Sequence, residues 1–133
     1  TLEHLGLLAG EAREVAPLAD PAGDGPIADR ARSYLHANCA GCHRPDGPGR
    51  GGLDLRIDVP LAAAGFCDEP PLEGDLGVAE ARIRARGEPG RALLLRRLGL
   101  RGAAQMPPLG THLVDEEGMA LVEGWIRSLD RCP

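Results

Sequence analysis

Residues 39–43 read Cys39-Ala40-Gly41-Cys42-His43, and they decide the fold of this 133-residue chain. The stretch that leads into them starts at Pro26, which suits the first turn of a helix because proline has no N–H to leave unpaired there. Apolar residues then recur at helical spacing: Ile27, Ala31, Tyr34 and Leu35. The pattern predicts a helix from Pro26 to Cys39, with the cysteine pair at its end and no strand before it.

The spacing of the two cysteines and the adjacent histidine is that of covalent haem attachment, C-x-x-C-H. Two intervening residues let the thiols of Cys39 and Cys42 reach the two vinyl groups on one edge of a porphyrin. The neighbouring His43 is then placed to ligate the iron. We therefore predict one covalently bound haem c, with His43 as the first axial ligand.

The composition is consistent with a core that a large cofactor completes. Hydrophobic residues make up 43% of the chain, yet it contains one Phe, one Tyr and one Trp. The large rings that usually dominate core burial are therefore scarce. The 19 glycines and 12 prolines predict long loops between a few helices, and the length is that of one domain.

The charge of the chain argues against nucleic acid and against anionic membranes as partners. The formal net charge is -5 and the isoelectric point is about 5.3, so we expect no basic surface for nucleic acid or for an anionic membrane. The sequence also has no run of about 18 apolar residues, which predicts that it has no transmembrane segment.

The sequence divides into a short N-terminal segment and a predicted domain, which differ in composition. Residues 1–25 combine a short apolar stretch with a cluster of Pro, Asp and Gly, and we interpret them as a linker or docking strap. Residues 26–133 form the predicted domain, with an inserted surface loop at about 59–78 that is rich in Pro and Gly. The chain begins at Thr1 without a charged and then apolar leader, which we interpret as a mature or excised fragment.

Further helices are predicted in the second half of the chain. A weak helical pattern covers residues 79–86, and a stronger one follows a turn opened by Pro89 and ends at Gly99. The clearest helix is the last, which begins at Asp115 as its cap. We expect its apolar face to pack on the first helix, with these members at helical spacing: Met119, Val122, Ile126 and Leu129.

Met106 is the leading candidate for the sixth iron ligand. It is followed by Pro107 and Pro108, which exclude a helix and place it on an extended loop. A thioether favours ferrous iron, so a His/Met pair raises the reduction potential. Two alternatives stay open: a methionine that only fills the core, and His112 as the ligand of a lower-potential bis-His haem.

Two of the four cysteines, Cys67 and Cys132, remain after haem attachment. The even number of remaining cysteines and the chemistry of haem attachment both indicate an oxidising compartment, so we expect the protein to be periplasmic or otherwise exported. A disulfide between Cys67 and Cys132 is therefore our hypothesis. In the chain-entropy model it contributes about 4 kcal/mol to stability.

Other kinds of site compete with haem attachment. A zinc ion could take Cys39, Cys42, His43 and Cys67, although adjacent ligands at 42 and 43 are strained and a second zinc knuckle is absent. A redox dithiol is expected at a strand-to-helix junction, which the pattern does not provide. A haem enzyme or gas sensor would leave the sixth position open, and the Met106-Pro-Pro sequence argues against it.

Taken together, these motifs resemble the class I cytochrome c domain, and in particular the cytochrome modules at the C-terminal end of larger exported bacterial proteins. The resemblance covers residues 26–130. Five features carry it: Tyr34 in the helix before the cysteine motif, the Gly-Gly-Leu-Asp-Leu segment at 51–55, residues 87–94, Met106-Pro-Pro, and Trp125-Ile126.

The resemblance implies an all-α fold of three to five helices around one haem, with the first and last helices crossing beside it. It implies His43 and Met106 as the axial ligands. Many family members have a proline after the motif whose carbonyl accepts the imidazole Nδ1–H. The matching stretch here runs from Arg50 to Leu53 without a proline, so we expect another backbone carbonyl to accept that proton.

The function expected from the sequence is single-electron transfer through a His/Met-ligated haem. An electron carrier needs a filled sixth position, and the sequence provides two ligands and no general base. We therefore expect no catalysis in this chain. Its expected partner is a redox protein or a fused redox domain.

Overall fold

Three α-helices joined by long loops make up the architecture. The computed structural model describes residues 4–7 and 17–131. The helices are α1 (Ile27–Cys39), α2 (Leu93–Gly99) and α3 (Glu116–Arg127), with short 3-10 helices at Leu61–Ala63 and Pro89–Arg91. Within the described ranges there are isolated bridges but no strands. The regular structure of the described residues is therefore helical, as the sequence predicts.

Helix α1 begins where the sequence predicts. Pro26 precedes it with φ of −51°, and its carbonyl accepts the N–H groups of Asp29 and Arg30 at 3.0 and 3.1 Å. Ala31 and Leu35 are 0% and 1% exposed, so the predicted apolar face is the one that enters the core. The helix ends at Cys39, and the cysteine motif follows directly.

Helix α3 also confirms its sequence signals. The Asp115 carboxylate accepts the Gly118 N–H at 2.9 Å, which satisfies one of the unpaired donors at the helix start. The helix ends at Arg127, so Leu129 lies beyond it, although its side chain still packs against the core. The buried residues of this helix are Gly118, Leu121, Val122, Trp125 and Ile126.

The first and last helices pack on each other, as predicted. Gly118 allows the close approach, because a Cβ at that position would overlap the Tyr34 ring. Tyr34 is itself 8% exposed, so the ring has little room to move away. The pair therefore sets the distance between α1 and α3.

Residues 79–86 are not helical, and that prediction was wrong. Glu80 has φ of 49°, a left-handed conformation that interrupts a helix. The following N–H groups bond to other segments instead of to the preceding turn. Arg82 N–H donates to the Arg91 carbonyl at 3.0 Å, and Ile83 N–H donates to the Glu69 carbonyl at 2.8 Å.

The insertion at 59–78 is more than a surface loop. Ala64 and Phe66 are 2% and 3% exposed and belong to the main core. The Phe66 ring lies 6.2 Å from the Trp125 ring of α3, measured between centroids. The insertion therefore supplies the one phenylalanine of the chain to the interior.

Residues 17–25, which belong to the predicted strap, are hydrogen-bonded to α1. Ala19 N–H donates to Ser33 Oγ at 3.0 Å, and the Arg30 guanidinium donates to the Pro21 carbonyl at 2.9 and 2.7 Å. No helix in the described ranges has the length and apolarity needed to cross a membrane.

Candidate haem site

The cysteine motif forms a tight turn at the end of α1. The Cys39 carbonyl accepts the N–H of Cys42 at 3.1 Å and of His43 at 2.9 Å, and the Cys42 carbonyl accepts the Gly49 N–H at 3.0 Å. Both Cys39 and Cys42 are free thiols, the first half-buried and the second exposed. The turn thus presents two thiols and an imidazole from one short segment.

Burial distinguishes the two thiols. It raises the pKa of Cys39 to about 11, with a smaller contribution from the neighbouring Cys42. Burial disfavours the thiolate because a charged sulfur loses its hydration. At neutral pH the Cys39 side chain is therefore a protonated thiol.

His43 has the protonation state that an iron ligand needs. Burial lowers the pKa of its imidazole below the ordinary value of 6.5, so the ring is neutral at neutral pH. Its Nδ1 atom is buried and has no hydrogen-bond partner, so the expected bond to a backbone carbonyl is not formed. An ideal Cβ at Gly49 would lie 2.8 Å from this Nδ1 atom.

A second segment is tied to the motif through its backbone. The Leu55 N–H donates to the His43 carbonyl at 2.9 Å, and the Asp54 N–H donates to the Ala64 carbonyl at 3.1 Å. These bonds connect the motif to the 59–78 insertion. Leu55 is 7% exposed, so the connection lies in the core.

Met106 lies on a loop that several hydrogen bonds hold in place. Its N–H donates to the Arg97 carbonyl of α2 at 3.0 Å. The neighbouring Gln105 side chain accepts the Gly102 N–H at 2.8 Å and donates to the carbonyls of Pro107 and Thr111 at 3.1 and 3.3 Å. The predicted non-helical loop is confirmed, although residues 106–110 bend and are not extended, and Met106 is half-buried.

A cavity of about 340 Å³ lies beside Met106. Its walls come from the end of α1, from α2, from the Met106 loop and from α3, and they include Tyr34, Asn38, Leu98, Arg101, Met106 and Met119. Asn38 directly precedes the first cysteine of the motif. His43 is not part of the lining, so the structure places Met106, but not the imidazole, on the wall of this cavity.

The polar groups of this cavity include a neutral phenol. Burial raises the pKa of Tyr34, and a hydrogen bond to Asp115 and the charge of that carboxylate raise it further. Arg101 donates to the Leu98 carbonyl at 2.9 Å, but its Nε atom is buried without a partner. The Nε–H of Arg101 on the cavity wall therefore has no hydrogen-bond acceptor.

Met119 was expected in the core, and it lies there only in part. Its side chain contacts the core and also lines the cavity, so both methionines of the chain reach the same space. His112, the other rival ligand, is exposed and is not part of the lining. Of the two predicted candidates for the sixth ligand, Met106 lines this cavity and His112 does not.

Only one of the two cysteines of the predicted disulfide, Cys67, lies within the described residues. Cys67 is half-buried and forms an isolated parallel bridge with Arg84. Cys132 lies outside the described residues, so the Cys67–Cys132 bond stays a prediction. Across ranges 4–7 and 17–131, no three His, Cys, Asp or Glu residues come together as a metal-binding group.

Sequence reasoning missed Arg84, which is 0% exposed. In the sequence it belongs to a run of alternating arginines in a segment predicted as helix, a pattern that indicates a solvated face. Burial of the side chain depends on Phe66 and Trp125, which lie far away along the chain. A local pattern could not have identified it.

None of the family models, curated proteins or solved structures compared with this chain matches it.

Proposed function

We propose that this chain is a single-haem c-type cytochrome domain of the class I fold, which transfers one electron at a time. The observation that carries the proposal is the turn after α1. It presents the free thiols of Cys39 and Cys42 next to a neutral His43. This is the donor set that haem c requires, in the order and spacing that its attachment chemistry requires.

The fold supports the same proposal. The first and last helices pack together, the motif ends the first helix, and the Met106 loop comes just before the last helix. The class I cytochrome c domain has these elements in this order. This order of elements supports the proposal that His43 and Met106 are the axial ligands.

The residues present fit a haem. Cys39 and Cys42 would hold it covalently, and the neutral imidazole of His43 would ligate its iron. A six-coordinate haem iron supplies a one-electron couple with little rearrangement. The chain's own part is to position His43 and Met106, and Leu98 and Tyr34 line the cavity beside Met106.

The partner and the location follow from that chemistry. Haem attachment and the predicted Cys67–Cys132 disulfide both belong to an oxidising compartment, so we place the protein in the periplasm or otherwise outside the cytoplasm. A single-haem carrier has to exchange electrons with another centre. We therefore propose a redox partner protein or a fused redox domain as its counterpart.

The decisive test is covalent attachment. The chain is produced in a bacterial periplasm together with haem-attachment machinery, then denatured and extracted with acidic acetone. We expect the haem spectrum to stay with the polypeptide, and Cys39→Ala with Cys42→Ala to remove it. The matched control, Cys67→Ala with Cys132→Ala, should keep its haem.

Absence of haem from the unaltered protein would refute the proposal. A bound zinc ion in its place would favour the zinc-binding alternative, for which the described residues offer no three-ligand cluster.

A further inference from the structure

Arg97 of α2 is bonded to the Met106 loop at two points. Its backbone carbonyl accepts the Met106 N–H at 3.0 Å. Its guanidinium donates through Nη1 to the Ala104 carbonyl at 3.3 Å. Ala104 and Met106 flank Gln105 in the chain, so both bonds act next to the proposed sixth ligand of the iron.

The same guanidinium also reaches the insertion at 59–78. The Nη2 atom of Arg97 donates to the Glu73 carbonyl at 3.1 Å. The Glu73 carboxylate in turn pairs with the Arg50 guanidinium at 3.3 Å, and Arg50 lies on the loop that follows the cysteine turn. The insertion therefore connects the loop after the cysteine turn with the Met106 loop.

The two connections differ in strength. The side chains of Arg50 and Glu73 are 81% and 47% exposed, so water competes with their ion pair and the pair contributes little. Arg97 is half-buried, and its planar guanidinium holds two carbonyl oxygens at once through charge-assisted bonds. Arg97 is therefore the residue that ties the Met106 loop to the insertion.

A loop that provides an iron ligand has to stay close to the metal. Its thioether acts at a high effective concentration, because binding within one molecule is favoured over binding from solution. When the loop opens, an external ligand can take the sixth position, and its apparent affinity is the intrinsic affinity multiplied by the fraction of open loop. Bonds that are lost on opening therefore lower the affinity for an external ligand.

We propose that Arg97 is a positioning residue that holds the Met106 loop at the sixth position of the iron. Its bond to Ala104 is lost when the loop opens, and its bond to Glu73 fixes the guanidinium in the orientation that the first bond requires. The inference rests on the proposed function. It gives the insertion a part in keeping external ligands away from the iron.

The test is a titration of the ferric haem-loaded protein with imidazole, followed by the loss of the far-red band of iron bonded to sulfur. Arg97→Met removes the guanidinium but keeps the backbone carbonyl that accepts the Met106 N–H. It should lower the imidazole concentration at half-saturation about tenfold, because charge-assisted bonds that favour the closed loop are lost. Arg97→Lys keeps the charge but not the planar pair of donors, so it should show a smaller shift in the same direction.

The matched control is Arg96→Met, which makes the same change in charge at the exposed neighbouring position of α2. Its half-saturation concentration should equal that of the unaltered protein. Glu73→Gln removes the ion pair with Arg50 but keeps the backbone carbonyl, so its shift should be at most about twofold. Urea unfolding of the same proteins separates positioning from stability, because a merely structural role lowers the free energy of unfolding and leaves imidazole binding unchanged.

Each outcome decides for or against the role of Arg97. An unchanged half-saturation concentration in Arg97→Met overturns it, and so does an equal shift in Arg96→Met. If Arg97→Met does not fold, Arg97→Lys decides by the same comparison. The proposed function fails in a different way: a haem stain of the unaltered protein is then negative, or its haem lacks the far-red band before any imidazole is added.

Discussion

At the scale of the residue, the candidate site depends on close contacts around the cysteine turn. An ideal Cβ at Gly49 would lie 2.8 Å from both the Cys42 carbonyl oxygen and His43 Nδ1. Those atoms belong to the backbone turn and to the proposed iron ligand, so neither can easily move. Gly49 therefore keeps open the space that the imidazole needs.

Gly49→Ala should reduce haem incorporation and destabilise the haem-loaded protein by about 1–3 kcal/mol, because the added methyl group crowds the His43 ring. The measurement is haem content per polypeptide together with urea unfolding. Gly41→Ala is the control, since a Cβ at Gly41 meets nothing within 4 Å. Equal losses in both variants would show that the contact with His43 is not the cause.

The two methionines that share the cavity can be told apart. Met119 packs against α2, where an ideal Cβ at Gly99 would be 3.4 Å from its sulfur, whereas Met106 lies on a loop. Met106→Ala should abolish the weak far-red absorption band of ferric iron bonded to sulfur, lower the reduction potential, and allow carbon monoxide to bind the ferrous protein. Met119→Leu should keep the band. Loss of the band in Met119→Leu alone would reverse the assignment.

At the scale of the element, the contact between α1 and α3 is set by one small residue. Gly118 lies in the first turn of α3 and faces the Tyr34 ring on α1. Asp115 caps the same turn and acts on the Tyr34 hydroxyl. The Asp115 cap therefore stabilises the start of α3, and the contact between Gly118 and Tyr34 sets its distance from α1.

Gly118→Ala should lower the free energy of unfolding by about 1–3 kcal/mol, because the methyl group would overlap the buried ring and push the helices apart. Chemical denaturation of the haem-loaded protein measures the loss. Gly124→Ala provides the comparison on the same helix: its Cβ would meet only the terminal methyl group of Ile27, at 3.1 Å, and the higher helix propensity of alanine favours it. If Gly118→Ala is as stable as Gly124→Ala, the overlap does not set the spacing.

At the scale of the whole molecule, much of the chain is loop, and arginine side chains hold several of these loops. Arg32 donates to the carbonyls of Ile57 and Val59 at 3.0 and 2.5 Å, and Arg97 donates to the Glu73 carbonyl at 3.1 Å. The guanidinium suits this role because it has five N–H donors in a fixed plane. These bonds connect segments that have no regular structure of their own.

The predicted Cys67–Cys132 disulfide would add a constraint of the same kind. Reduction of the haem-loaded protein should lower its free energy of unfolding by about 4 kcal/mol or less, since the bond limits the unfolded chain. Thiol titration of denatured protein that has not been reduced gives the direct answer. We expect no free thiols, because haem occupies Cys39 and Cys42, whereas two free thiols would exclude the bond.

The sequence by itself determined the bounds of α1, the start of α3 with its cap at Asp115, the loop around Met106 and the Cys39–His43 motif. These features depend on neighbours a few residues apart, so a local pattern contains them. Only the tertiary structure decided that residues 79–86 are not a helix and that Arg84 is buried between Phe66 and Trp125. Each of these depends on hydrogen bonds or packing between distant segments, and local propensity cannot report the free energy of such contacts.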